Sequence, residues 1–555
     1  MTKAPPLILR NGKIITVNRR FEIAQALAIR DGRIIAVGTD AEIEPLIEAS
    51  TRVIDLAGRA AMPGLIDAHA HMDREGLKQA LPSLAGACSI DDVLTRIATL
   101  ARERAPGEWI VTMPLGDPPE FEGMPGLLRE GRFPTRRELD QAAPNNPVFI
   151  KPGWGYWRVT LPLVGIANSR ALAAAGIDKE TKSPAASLEI DRDPNGTPTG
   201  IFRDFNFMPI LELTLMRGVP AFDLATRVRA LTASMRIYNS FGTTGVFEGH
   251  GVNADVIAAY QHVRAGHPSV RATLMFSPAW RTTSAADIAI MISDWGRWLG
   301  GRGLGDEWLR VQGLFTEVDT STEHALRKAA FPNTGWAGFN YAGLPAEAVK
   351  ALLLECARNG IRVEVIGTAL LETLADVART TSIADQRWVL AHVEALDQHQ
   401  LDLVRELGLC ITTHTNAAIY KRGAALRDRL GASRLNDIVP LRRLLDAGVP
   451  VGLATDNVPV SLWHPIWQAV ARVDRTINAP IASEQALRRE EALRYATMGG
   501  AYLTFEEDLK GSLEPGKLAD VVVLSQDPLT CPLDELRDTV ADMTIVGGEV
   551  VFDRE

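Results

Sequence analysis

The chain has 555 residues, 46% of them hydrophobic and 23% charged, an ordinary globular composition with material for a large core. A formal net charge of −9 without a basic block argues against nucleic acid and anionic membrane as partners. No apolar run reaches the roughly 18 residues that a membrane span requires. Cys88, Cys356, Cys410 and Cys531 are scattered without C-x-x-C spacing, so they read as reduced core thiols, neither a disulfide frame nor a cysteine zinc site. The opening "MTKAPPLILRNGKIITV" lacks a long apolar segment, which speaks against a secretory leader and for a cytoplasmic protein.

Taken in chain order, residues 1–62 are strand-like. "LILRNGKIITV" and "ALAIRDGRIIAVG" are apolar runs broken by Asn11-Gly12 and Asp31-Gly32, both hairpin signals. The stretch from about 105 to 220 is turn-rich, with "DRDPNGTPTG" reading as a hairpin or loop, and is expected to be an insertion over the main fold without being a folding domain of its own. Farther on, helix, glycine and strand alternate: "LLLECARNG" leads to "IRVEVIG", "LDLVRELG" to "LCITTHT", and "LRRLLDAG" to "VPVGLATD". "RWVLAHVEA" fits the same rhythm, so four βα units in succession predict a parallel sheet. In an α/β (TIM) barrel the strand C-termini gather at one mouth, which would bring His392, His414 and Asp456 together. The C-terminal "GKLADVVVLSQDP" and "MTIVGGEVVFD" repeat the β texture of the N-terminus. The expected architecture is therefore α/β: an eight-stranded barrel over 63–505, with 1–62 and 506–555 joining in one small composite β-sandwich.

Within "PGLIDAHAH", residues 63–71, His69 and His71 stand two apart, so on a strand both imidazoles face the same side. Neutral imidazole is a ligand for zinc and similar divalent ions. Alone, a His-x-His pair is more often structural or incidental than a metal clamp. His392 and Asp456, at later strand ends, raise its significance.

"PGLIDAHAH" followed by "LAHVEA", "GLATDNVPV" and "GSLEPGKLADVVVL" resembles the amidohydrolase superfamily, closest to its branch of N-substituted formamide deformylases and YtcJ-like hydrolases. "PTRRELDQAAPNNPV", "NSRAL", "GTTGVFE", "HPIWQAVAR" and "LRYATMGGAYL" resemble further segments of that branch. By position, the resemblance implies His69 and His71 as ligands from strand 1, His392 as a ligand from strand 6, and Asp456 of strand 8 as ligand and general base. It implies a metal-dependent hydrolysis of a C–N bond, an amide or N-formyl group, with His392 helping to steady the oxyanion. A deaminase or cyclic-amide hydrolase, and a metal-free scaffold, stay open as rivals. The expected cofactor is a divalent metal, zinc first with manganese or iron as alternatives, in one or two ions. A homo-oligomer is expected only by analogy with relatives.

Two departures stand out. Relatives carry a histidine in strand 5 where this chain has Glu364 in "VEVIGTA", and many carry a strand-4 lysine that "VQGLFTEVD" lacks. Glu364 is the expected replacement ligand, with Glu317 on strand 4 and Glu248 or His250 on strand 3 as further candidates. The substrate is expected to be a small apolar or aromatic molecule. Its candidate contacts are Asn168, His414 and Trp154, under a roof of Trp154, Tyr156, Trp157, Phe202, Phe205, Phe207, Trp336, Phe339 and Tyr341.

Overall fold

The computed structural model describes residues 6–154, 160–319, 321–329, 336 and 342–554. Its centre is a barrel of eight parallel strands: Leu65–Asp67, Thr243–Val252, Arg271–Phe276, Leu309–Phe315, Val363–Ile366, Val389–Ala391, Cys410–Thr413 and Val451–Leu453. Most are short and largely buried on both faces, as strands wrapped by helices must be; Thr243–Val252 is the longest, at ten residues. Strand 8 returns to strand 1 where the Ala68 amide donates to the Leu453 carbonyl at 3.0 Å. The buried Asp67 carboxylate staples the same seam, accepting from the Thr455 hydroxyl at 2.5 Å, the Thr455 amide at 3.1 Å and the His69 amide at 3.2 Å. The barrel strands pack outward on helices such as Ala346–Arg358, Leu371–Thr380 and Gln398–Glu406 through Leu352, Leu374, Val404 and Leu390.

The two chain ends meet as expected. A six-stranded sheet runs in the order 549–553, 541–546, 521–524, 60–63, 13–15, 23–24, so Val521–Leu524 pairs antiparallel with Ala60–Pro63. A four-stranded sheet from the N-terminus covers it, with Leu9, Leu27, Ile29, Val521 and Val523 between them. The period of two is visible in one strand: Val521 and Val523 face the sandwich while Val522 and Leu524 face the barrel. Asp520, just before it, accepts from Arg271 Nε at 2.7 Å and Nη2 at 3.0 Å, a buried fork that fixes barrel strand 3 to the sandwich.

Of the two N-terminal turn signals, one makes a hairpin. Ala26–Arg30 and Arg33–Gly38 pair through Asp31 and Gly32, both at positive φ (51° and 73°), as a type I′ turn demands. Asn11-Gly12 does not: Leu7–Arg10 enters the four-stranded sheet and Lys13–Ile15 the six-stranded one, so the chain crosses between layers there.

The stretch between barrel strands 1 and 2 departs from expectation. It forms a five-stranded sheet, in the order 188–192, 198–204, 163–167, 148–150, 110–112. Val148 and Ile150 face one apolar cluster and Phe149 the opposite one, so the sheet is buried on both sides. "DRDPNGTPTG" is its hairpin. Strands of three to seven residues between Pro- and Gly-rich turns give no long periodic signal, which is why the stretch read as turn-rich with one hairpin or loop.

One group here couples stability to pH. The buried Asp204 carboxylate accepts from the amides of Asn206 at 3.1 Å and Leu211 at 3.3 Å. Burial, with the nearby Glu212 charge adding to it and the two amides opposing, pushes Asp204 up to about 7. A folded pKa above the unfolded value of about 4 means the fold favours the protonated acid, so its contribution is present below about pH 4 and lost as pH rises through about 7. Asp204→Asn, which removes the charge and keeps an acceptor for one of the two amides, should therefore raise the apparent melting temperature at pH 8 relative to its effect at pH 4. Three units correspond to at most about 4 kcal/mol. Equal shifts at both pH values would refute the account.

Candidate active site

The candidate residues converge on the C-terminal mouth of the barrel. Strand 1 ends at Asp67, and His69 and His71 follow it with their ring centroids 5.2 Å apart. His392 follows strand 6, at 4.8 Å from the His69 ring; His414 follows strand 7, at 4.9 Å from His69 and 3.8 Å from His392. Asp456 follows strand 8, with Oδ1 2.8 Å from His71 Nε2 and Oδ2 3.5 Å from His414 Nδ1. Glu364 lies inside strand 5, fully buried, with Oε1 3.1 Å from His69 Nδ1. His250 completes the ring of imidazoles at 5.8 Å from both His69 and His71. It and Glu248 belong to the second barrel strand, not the third, because the five-stranded insertion precedes any further barrel strand.

The backbone at the mouth is itself unusual. His392 and Asp456 stand at φ of 55° and 53°, and Asn457 at 59°. Non-glycine residues in this region are uncommon, with His, Asp and Asn enriched among them, and such strain clusters at functional sites.

Electrostatics leaves most of these imidazoles neutral, with lone pairs to offer. Burial holds His392 well below its ordinary value, reinforced by the neighbouring His414, and does the same for His250 with His71 behind it. Burial and the Arg74 charge bring His71 down to about 3 against the pull of Asp456. His414 is lowered by burial despite Asp456. His69 is the exception: burial opposes its charge, but the contact with Glu364 and the charges of Asp456 and Asp67 outweigh it and raise the ring. Burial would also raise Asp456, yet the hydrogen bonds from His414 and His71 and the surrounding rings hold it well below the usual carboxylate range.

A divalent cation fits this donor set. His69 Nε2, His392 Nε2, His414 Nε2 and Glu364 Oε2 are buried with no hydrogen-bond partner among the described residues. His69, His71 and His250, and separately His69, His392 and His414, each place one donor atom within 4.8 Å of the others. Buried polar atoms without partners are costly, and a cation coordinated by them removes that cost. The mixed imidazole and carboxylate donors suit zinc, manganese or iron. Backbone packing holds the set tight: a Cβ built on Gly249 would lie 2.6 Å from both Glu364 oxygens and 2.7 Å from His69 Nδ1. Gly249→Ala is accordingly expected to drive Glu364 off His69 and lower turnover about a hundredfold with the fold retained. Wild-type turnover together with wild-type metal content in that variant would show that the packing does not matter.

Other candidates are placed elsewhere. Asn168 caps the helix Ser169–Ala174 and is fully buried in the insertion, its amide group bonded to Val148, Ala171 and Asn146 backbone. Its side-chain oxygen and nitrogen are both engaged in holding that sheet. Glu317 sits on a two-residue strand paired with Gly343–Leu344 and joins no donor cluster among the described residues. Trp154 is buried, with the Arg74 guanidinium 5.6 Å from its ring, and packs with Phe121 and Trp336. Phe205 and Phe207 are exposed, whereas Phe202 is in the core of the insertion. Tyr156, Trp157, Phe339 and Tyr341 lie outside the described residues.

The sequence reading missed a layer of supports. Asn457 accepts from the His71 amide at 3.0 Å and donates to the His71 carbonyl at 2.7 Å, and Tyr238 donates to the same side chain. Glu248 accepts from Tyr260 at 2.5 Å and from the Asp73 amide at 3.2 Å, and Arg74 lies against His71 Nδ1. Adjacency was the available signal: Asn457 follows Asp456, and "MDREG" follows the His-x-His.

The chain is similar to known proteins along nearly its whole length. The chain is 28% identical over 575 residues to an N-substituted formamide deformylase of Arthrobacter pascens, covering 100% of this chain and 99% of that one. It is 24% identical over 569 residues to YtcJ of Bacillus subtilis (strain 168), covering 99% of each. Its fold matches the crystal structure of an uncharacterized metal-dependent hydrolase from Pyrococcus horikoshii OT3 with a TM-score of 0.69, at 21% identity over 95% of this chain and 99% of that one. The amidohydrolase family model matches residues 52–552, and with nearly the whole length so matched, the chain belongs to the amidohydrolase family.

Proposed function

We propose that this enzyme hydrolyses an amide or N-formyl C–N bond of a small apolar or aromatic molecule, using one or more divalent metal ions. The observation that carries the reading is the set of buried, unpartnered donors, His69 Nε2, His392 Nε2 and Glu364 Oε2, beside the Asp456 carboxylate. The ion is assigned to donors drawn from His69, His71, Glu364, His392 and Asp456. An ion held there would lower the pKa of a water to roughly 7 and polarise the scissile carbonyl. Asp456 then takes the water proton and passes it to the leaving nitrogen as the C–N bond breaks and a C–O bond forms. His392 and His414 border the position where oxyanion charge develops. The deformylase relative and the apolar cluster of Met113, Phe121, Trp154 and Trp336 support an apolar N-substituted formamide as the substrate class.

The test uses the full chain purified without chelator and supplied with Zn²⁺, Mn²⁺ or Fe²⁺. N-benzylformamide, N-benzylacetamide, a cyclic imide and an aminated heterocycle are offered in parallel. Formate release from the first, with bound metal by elemental analysis, is the expected result. Ammonia from the heterocycle, or opening of the imide alone, would replace it with the deaminase or cyclic-amide reading. No turnover and no bound metal would leave the scaffold reading.

A further inference from the structure

We propose that the Arg74 guanidinium occupies the place of a second metal ion, so that this chain binds one divalent ion at its mouth and not two. The inference rests on the metal-dependent reading above and narrows its ion count. His71 stands between two donor sets. On its Nε2 side lie Asp456, at 2.8 Å, and the ring of His69, with Glu364 and His392 beyond. On its Nδ1 side, Asp73 and Glu248 complete a separate trio whose donor atoms all lie within 4.8 Å of one another, every member buried.

That second trio has the composition of a cation site. Asp73 Oδ2 is buried without a hydrogen-bond partner among the described residues, and Glu248 Oε2 comes within 4.0 Å of His71 Nδ1. The cation already there belongs to the protein. Arg74 is only 3% exposed; its Nε donates to Asp73 Oδ1 at 3.3 Å and its Nη2 lies against His71 Nδ1. The Trp154 ring, 5.6 Å from the guanidinium carbon, covers it from the other side. A guanidinium is permanently charged and carries donors only, so it takes up the lone pairs that a metal ion would need and repels any ion brought beside it. Its place is fixed by sequence: the short helix Met72–Glu75 begins immediately after His71 and sets Asp73, Arg74 and His71 within one turn.

The test is metal stoichiometry, which does not depend on finding the substrate. Metal-depleted full chain is titrated with Zn²⁺ alone by calorimetry, and bound zinc is then counted by elemental analysis, for wild type, Arg74→Met, Arg74→Gln, Arg74→Lys and the double variant R74M/E248Q. Circular dichroism checks that each is folded. One ion in wild type and in R74K, two in R74M or R74Q, and one again in R74M/E248Q is the expected pattern. Two ions in wild type, or one ion in a folded R74M and R74Q, overturns the proposal. Zero ions throughout overturns the metal-dependent reading itself, a failure visible in wild type alone and so separable from that of Arg74.

Discussion

Asp456→Asn is expected to lower kcat by about 10²- to 10⁴-fold while the protein remains folded. The reasoning is geometric before it is electrostatic. Oδ1 lies 2.8 Å from His71 Nε2 and Oδ2 faces His414 Nδ1 at 3.5 Å, which aims the group across the mouth between strands 1 and 7. Burial opposes its charge, but the contacts with His414 and His71 and the neighbouring rings keep it ionised. Asparagine has the same size, tolerates the φ of 53° at this position and can still accept from one imidazole, but it cannot carry a proton. The Asp456 amide, which donates to the His69 carbonyl at 3.1 Å, is untouched, so the strand 8 to strand 1 seam survives. The expected melting temperature is therefore close to wild type. Turnover of the variant within about tenfold of wild type would remove Asp456 from the proton path.

The parts legible in the sequence are those with a local signal. The βα rhythm from 346 to 453 gave four barrel strands because three of the helices before them are followed by Gly360, Gly408 and Gly448 and each strand is a short apolar run. The composite sandwich was legible because both ends alternate apolar residues in the same way. What was not legible depends on partners far away in sequence. Asn11-Gly12 carries the same turn chemistry as Asp31-Gly32, yet the residues after it pair with Ala60–Ala61 and not with Leu7–Arg10, a choice made by packing. Asn168 sits in a stretch that resembles a family motif, but its task is capping a helix, which a motif match alone does not distinguish from a substrate contact. At the site, His69, His71, His392, His414 and Asp456 could be named from spacing and resemblance. Arg74 could not, because its meaning lies in what it displaces.

Glu364→Gln is expected to change sign with the metal. In chelator the variant should melt at or above wild type; with saturating Zn²⁺ it should melt below it. Glu364 is fully buried, one oxygen is 3.1 Å from His69 Nδ1, and the other has no partner among the described residues. A buried carboxylate with one oxygen unpaired costs stability, and glutamine of the same shape removes that charge while its carbonyl can still accept from a neutral His69 ring. A bound cation reverses the balance, since ligand binding stabilises the fold by RT ln(1 + [L]/Kd), about 2.7 kcal/mol at a hundred times Kd. Losing an anionic ligand weakens binding, so at the same zinc concentration the variant gains less than wild type. A mere packing role would shift both melting curves in the same direction with and without zinc, and a ligand role cannot. If E364Q gains as much from zinc as wild type does, the strand 5 carboxylate is not what replaces the histidine of its relatives, and the ion must be held by the histidines and Asp456 alone.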